Sequence, residues 1–496
     1  MLHLLHLRRD SPWLKVLPIA NVMGKLIMLF ACTLLIPMAV SLLAQDGMAV
    51  DFLVAMLVSM LAGGVLWGLT HRFVRELKPR DGFILVVLLW TGFAAVATVP
   101  LMLAIPGLSF TDAYFEALSG LTTTGATVLS GLDHLPESIN FWRHFLNWIG
   151  GMGIIVLAVA VLPLLGIGGM QLYKAETPGP IKDAKLTPRI TETAKNLWLI
   201  YAGLTVLCAL ALRACGLGWL DAVCHAFAAL SLGGFSTHDA SVGHFNSVAV
   251  ELVLVLFMLL AAVNFATHFL AWRGKSLRAY LRDAEARSML LLLAFSIVGC
   301  AAYLSWQSVH SFWTALRHVA FNLVSIATDC GFASCDFDQW PIFVPLWMLF
   351  LSCITACSGS TGGGIKMIRT LLLARQASRE MVGLLHPAAV QPVRIGGAII
   401  PNAVVASVLG FIFLYFMSIV VLTFVLVGSG LDFISAFTGV IACINNAGPG
   451  LYQLGPAENY GSLNDFQVWV CSFAMLLGRL EVFTLLILFT PAFWRK

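Results

Sequence analysis

Residues 116–133 read EALSGLTTTGATVLSGLD. Three threonines run into a glycine inside a chain that is otherwise apolar. The chain has 496 residues, 59% hydrophobic and 11% charged, where an ordinary soluble domain carries about a quarter charged residues. Most of it cannot be surface in water. Apolar runs exceed the roughly 20 residues that cross a bilayer as helix, so the composition points to an all-α polytopic membrane protein. The threonine–glycine knot is then a turn between membrane helices or a contact with something that crosses the membrane.

Apolar spans are expected near 24–45, 49–71, 82–105, 142–170, 195–216, 247–272, 288–305, 341–379, 401–429 and 465–493. That makes about ten transmembrane helices, with 341–379 taken as one interrupted helix. Four shorter segments fall between spans, at 110–128, 219–237, 312–334 and 431–450. Their apolar parts are roughly 10–14 residues, too short to cross and of re-entrant length.

Charge tests this topology. The net charge of +4 says little; its distribution says more. Basic clusters lie at Arg8–Lys25, Arg72–Arg80, Lys174–Lys195, Arg273–Arg287 and Lys366–Arg394, with Arg495 and Lys496 at the end. If each short segment dips in and returns, every cluster falls on one side. If any one crossed, all later clusters would change sides. The excess of basic residues in cytoplasmic loops favours re-entrance and places both termini in the cytoplasm. The N-terminus puts its apolar part before its charges, the reverse of a secretory signal. The eleven cysteines show no metal-ligand spacing, and Cys353 and Cys357 read as small packing residues.

The four short segments are copies of one pattern: TDAYFEALSGLTTTGAT (111–127), LDAVCHAFAALSLGGFS (220–236), ALRHVAFNLVSIATDCGFA (315–333) and DFISAFTGVIACINNAGPG (432–450). Each is a helix-like stretch, then small or polar residues, then a glycine: Gly125, Gly234, Gly331 or Gly448. The predicted organisation is a two-helix extension (1–80) and four repeats of span, short half-helix, glycine turn and span (81–172, 173–275, 276–395 and 396–496). Four copies imply pseudo-fourfold symmetry about an axis. Re-entrant backbone is tolerated at membrane depth only inside protein or beside water. Each half-helix would aim its partly negative C-terminus at the centre, favouring a cation, and glycine lets backbone carbonyls line the axis. Any one segment alone could be an ordinary glycine turn at a helix end; four at matching places argue for a filter.

The motifs TTTGAT (122–127), LGGFSTHDAS (232–241), CSGSTGGGIK (357–366) and GRLEVFTLLILFTP (478–491) resemble the Trk/Ktr/HKT superfamily of potassium transporters over essentially the whole chain. The two extra N-terminal spans resemble the TrkH type. The resemblance implies (M1-P-M2) repeats around one pore per subunit, a homodimer, and a cytoplasmic TrkA-type nucleotide-binding regulatory subunit on the basic face. This chain would need no cofactor of its own, would bind no nucleic acid, and would carry potassium. The resemblance places filter carbonyls at Thr123, Thr124 and Gly125; Leu232, Gly233 and Gly234; Asp329, Cys330 and Gly331; and Asn446, Ala447 and Gly448. Glycine in all four loops resembles potassium-selective members. Asp329 departs from the hydroxyl residues more usual there. Two readings of it stand: a place behind the filter, or a carboxylate that raises cation affinity.

The run Gly359, Ser360, Thr361, Gly362, Gly363 and Gly364 interrupts the eighth span. Each glycine costs about 1 kcal/mol against alanine in a helix. A phosphate-binding loop is disfavoured because Ile365 stands where its lysine belongs and no strand precedes it. A plain kink is the simpler alternative; an irregular loop obstructing the pore is the reading adopted, and the family has such a loop. Arg479 sits mid-span in the sequence. A charge there costs about 2.5–3.5 kcal/mol on insertion scales, so it is expected to face the interior and bond the 357–364 carbonyls as part of a gate, rather than snorkel to an interface.

His225 and His318, on half-helices, read as packing or hydrogen-bonding residues rather than a proton relay. Glu116 could add negative potential near the filter. Arg143, Arg213 and Arg317 are expected near the outer face, solvated or paired. Two rival functions remain: a proton- or sodium-coupled symporter with alternating access, and an intramembrane enzyme, for which the sequence offers no nucleophile–base or metal constellation.

Overall fold

A computed structural model describes residues 12–75, 77–156, 190–388 and 391–495. Residues Arg8, Arg9, Lys174, Lys182, Lys185, Arg189 and Lys496, and the end of the expected 142–170 span, lie outside them. The described chain is helical apart from one hairpin, Arg394–Ile395 paired antiparallel with Ala398–Ile399.

Helices α1 (Pro12–Ala31), α2 (Leu35–Ala44) and α3 (Ala49–Thr70) form the N-terminal extension. α1 and α3 meet at Gly24 and Gly63, where a Cβ on either would lie 2.8 Å from the other's carbonyl oxygen. Small residues permit such close approach where no hydrophobic effect drives helices together in lipid. The first repeat follows as α4 (Pro79–Ala104), α5 (Phe110–Leu121) and α6 (Glu137–Val156). The second is α7 (Ile190–Ala214), α8 (Trp219–Ser231), α9 (Val248–Ala262) and α10 (Phe265–Gly274). The third is α11 (Ala284–Trp306), α12 (Phe312–Ala327), α13 (Phe343–Ile354) and α14 (Met367–Leu385). The fourth is α15 (Asn402–Gly428), α16 (Phe433–Asn445) and α17 (Asp465–Arg479).

Six helices among the described residues are long and apolar enough to cross a membrane, and two bent pairs bring the count to eight. Their outward faces carry large exposed apolar side chains such as Leu61, Phe295 and Phe424, a surface suited to lipid. Three of the four short helices α5, α8, α12 and α16 start from side-chain caps, while α8 follows Gly218 without one. Ser109, Ser311 and Asp432 accept from the N–H groups of Asp112, Thr314 and Ser435, satisfying first-turn donors.

Two expected spans are broken rather than continuous. The 247–272 span turns by 97° between α9 and α10, and the 465–493 span by 110° after α17. At the first break the Asn264 side chain caps α10 through Ala266 N–H at 2.8 Å, and Phe265 N–H donates to Gly359 O at 3.0 Å. The freed backbone groups thus find partners, the condition for a broken helix at membrane depth. At the second, Glu481 and Val482 both adopt positive φ. Arg479 is therefore the last residue of α17 and not mid-helix, a position where a cation meets the helix dipole favourably.

Candidate functional site

Each of the four short helices ends in the same way. Thr123, Leu232, Asp329 and Asn446 all take left-handed backbone conformations, with φ of 54°, 54°, 67° and 58°. The next residue of each loop, Thr124, Gly233, Cys330 or Ala447, donates its N–H to the carbonyl five residues earlier, at 2.8 to 2.9 Å. This is the Schellman termination, which satisfies helix-end carbonyls with the residue past the cap in the left-handed region. Glycine usually takes that place. Here Thr123 and Leu232 bear a cost of roughly 1–2 kcal/mol each, offset by the paired hydrogen bonds, while aspartate and asparagine tolerate the conformation better.

Two residues further on, Gly125, Gly234, Gly331 and Gly448 again have positive φ. A Cβ built on Gly125 would strike Gly233 O; on Gly234, Cys330 O; on Gly331, Ala447 O; on Gly448, Thr124 O; all four approaches are under 3.0 Å. The four loops therefore close on one another in order, first to second, third, fourth and back to first. The structure brings all four predicted triplets into one ring of backbone. One carbonyl differs from expectation: Gly448 O accepts from the Tyr460 hydroxyl at 2.9 Å and is anchored to the wall behind the ring.

The segments beyond the glycines are stitched in the same cyclic order. Asp239 accepts from Gly131 and Leu132 N–H at 3.0 and 3.1 Å. Gly243 N–H reaches Ala333 O at 3.1 Å. Tyr452 N–H reaches Asp338 at 3.0 Å, and Tyr460 N–H reaches Thr127 O at 2.8 Å.

Glu116 does not offer free negative potential. Its carboxylate is buried against Arg143 at 2.7 Å and accepts from Thr127 Oγ1 and Val128 N–H at 2.9 and 3.1 Å. Arg143, expected near the outer face, is 1% exposed; it also donates to Ser236 O at 3.2 Å and lies over Phe235. The pair braces the backs of the first and second loops. Arg317 is paired with Glu251 at 2.7 Å, and Arg213 donates to Leu217 O. His225 is buried, its Nδ1–H donating to Asp221 O at 2.8 Å and its Nε2 3.0 Å from Ser236 Oγ. His318 is half-buried, 5.8 Å from His310 between ring centres. Cys353 and Cys357 are free and buried.

Beneath the ring, residues 355–366 leave the helix between α13 and α14. Thr361 Oγ1 donates to Leu230 O, at the end of α8, at 3.0 Å. Gly363 packs against Asn445 O, at the end of α16, so closely that a Cβ would overlap it. Gly363 N–H donates to Asp329 Oδ2 at 3.0 Å, so that oxygen faces the interior loop. Lys366 Nζ donates to Gly362 O. Ser358 N–H donates to Glu285 at 2.8 Å, and Cys357 N–H to Ala262 O at 3.1 Å. Arg479, 5% exposed, reaches Thr361 O at 3.2 Å and Gly150 O of α6 at 3.0 Å. The loop is thus held directly by the second, third and fourth repeats, and reaches the first only through Arg479.

Sequence reasoning missed Glu285, Asn264 and Asn445. Asn445 bonds Tyr415 and Ser352 behind the fourth loop, and its doublet with Asn446 inside an apolar run was the available signal. Asn446 itself bonds Thr124 Oγ1 at 2.9 Å, tying the fourth loop to the first.

A family profile described as "TrkH: Cation transport protein" matches residues 49–496. The chain is 48% identical over 482 residues to the Trk system potassium uptake protein TrkH of Vibrio parahaemolyticus, covering 96% of this chain and 99% of that one. It is 46% identical over 480 residues to the protein of that name from Escherichia coli K12, with the same coverage. The crystal structure of the potassium transporter TrkH from Vibrio parahaemolyticus superposes with a TM-score of 0.88 at 45% identity, over 97% of this chain and 99% of that one. With the four-loop ring, the extension and the interior loop all on one matching chain, this protein belongs to the TrkH family of cation transport proteins.

Proposed function

We propose that the chain takes up potassium across a bacterial inner membrane through the four-loop ring, and that the 359–364 loop with Arg479 gates it. The observation that carries this reading is the cyclic approach of each loop glycine to the next loop's carbonyl. Backbone oxygens arranged so can replace an ion's hydration shell, and the C-termini of four helices add negative potential at the centre. The names of relatives at 46–48% identity, potassium uptake proteins, support the ion.

The interior loop lies across the way out of the ring, and Arg479 contributes a fixed positive charge beside it. A passing cation would meet both. Opening breaks the two Arg479 hydrogen bonds and the Asp329–Gly363 bond. A TrkA-type nucleotide-binding regulatory subunit, docked on the basic cytoplasmic face of a homodimer, would supply that work. Four loops closing on one axis favour a channel-like path over two rocking halves with alternating access. Tracer rubidium influx into liposomes holding the purified protein, competed by potassium or sodium, tests the reading. Potassium should compete strongly and sodium weakly; equal competition would overturn the selectivity.

A further inference from the structure

We propose that the mouth of the ring carries a binding site for a transition-metal dication of the zinc class, made by Asp133 of the first repeat with His238 and His244 of the second. These residues lie eight positions beyond Gly125 and four and ten beyond Gly234. They belong to the segments that return from the ring on the side opposite the interior loop. One carboxylate oxygen and two imidazole nitrogens lie within 4.8 Å of one another. Two imidazoles with one carboxylate is a donor set for zinc and its neighbours, whereas magnesium and calcium select oxygen ligands throughout.

Asp133 Oδ1 is the shared atom. It contacts His238 Nδ1 directly and lies 3.9 Å from His244 Nδ1. A tetrahedral zinc with bonds near 2.0–2.1 Å holds its ligands about 3.4 Å apart, so the first separation opens and the second closes slightly. The two rings stack parallel, 3.6 Å between centres, and an ion cannot lie in both ring planes at once. One ring must turn, and His244, 47% exposed, has solvent to turn into.

The surrounding groups already set the ligand atoms. His238 Nε2 faces Asp221 Oδ1 at 3.5 Å, the place of the outer carboxylate that holds a ligating imidazole with its other nitrogen bare. Asp221 is fixed in turn by the Thr237 hydroxyl at 2.7 Å. Asp133 Oδ2 accepts from Asp239 N–H at 3.1 Å, leaving Oδ1 for the ion. Binding displaces the proton that His238 shares with Asp133 and puts a metal bridge in its place, stapling the first and second repeats beside their filter loops. This inference stands apart from the permeation reading and is tested without transport.

The test uses the purified full chain in detergent, with zinc chloride titrated against a chromophoric chelator and magnesium chloride as the comparison ion. Wild type should bind one equivalent of zinc that His244→Ala and Asp133→Asn lack, and Asp221→Asn should weaken that binding by about tenfold or more. Zinc should raise the thermal midpoint of wild type and not of His244→Ala. The eleven cysteines and remaining histidines are common to all variants, so background binding cancels. Should Asp133→Asn fold poorly, His244→Ala carries the test, because its half-exposed ring can be removed without opening the core. Equal zinc binding by wild type and His244→Ala, or equal response to magnesium, would overturn the site.

Discussion

The Gly363 N–H donates to the Asp329 carboxylate at 3.0 Å, joining the interior loop directly to the third loop of the ring. Asp329 has φ of 67°, a conformation that aspartate and asparagine tolerate better than most residues. Asparagine keeps both that backbone preference and an acceptor. Asp329→Asn should therefore leave basal rubidium influx near wild type. Asp329→Ala strands a buried N–H, at a cost of about 1–3 kcal/mol to the closed arrangement, and should raise influx without a regulatory partner. Equal influx in the two variants would show that this bond does not hold the loop.

Arg479 ties the loop to α6 through Thr361 O and Gly150 O. Arg479→Ala removes both bonds and the charge, and basal influx should rise about tenfold or more, the equivalent of 1.4 kcal/mol. Arg479→Lys keeps the charge but has no planar fork to span two carbonyls, so its influx should fall between the two. Rubidium influx into liposomes without partner reads this directly; unchanged influx in Arg479→Ala would remove the residue from the gate.

Gly234 tests the ring against a neutral position. A Cβ there would strike Cys330 O, and the residue has φ of 63°, whereas a Cβ on Gly203 would meet nothing within 4 Å. Gly234→Ala should abolish influx in the Arg479→Ala background. Gly203→Ala should not, and should fold at least as well, because alanine favours a helix over glycine by about 1 kcal/mol. Influx surviving Gly234→Ala would detach the glycine ring from the path.

The buried Glu116–Arg143 pair predicts a non-additive result. Removing one partner leaves a charge stranded, at about 3–5 kcal/mol. Arg143→Met and Glu116→Gln should each lower the thermal midpoint and the potassium-over-sodium preference of influx. The double variant should be less damaged than the sum, with a coupling of about 0.5–3 kcal/mol. Additive effects would mean that the pair does not act as a unit.

Much of this architecture is legible in the sequence because span length and charge side are strong constraints in a bilayer. Four short segments that cannot cross, between basic clusters that must share a side, leave little else than re-entrance. The four loop glycines were legible as a recurring position, and the structure gives it a steric reason: a side chain at each would strike the next loop's carbonyl. The caps two residues earlier were not. Leu232 and Thr123 sit in the left-handed region although leucine and threonine avoid it, because the tertiary ring over-rides local preference. The breaks after Ala262 and Arg479 were hidden too, since hydropathy averages over a bend and Asn264 alone is a faint mark. Glu116 and Arg143 are 27 positions apart, and only the fold shows that one cancels the other.

The most direct test of the central claim, that the four loops form one cation filter, is the potassium-to-sodium competition ratio for rubidium influx, measured in Arg479→Ala and in Arg479→Ala with Gly125→Ser. A side chain on Gly125 pushes against Gly233 O in the next loop and must move an oxygen of the ring. The ratio should fall markedly in the double variant, with sodium competing better than before. A double variant with undiminished influx and an unchanged ratio would contradict the account, because it would place the ion's path away from the glycine ring.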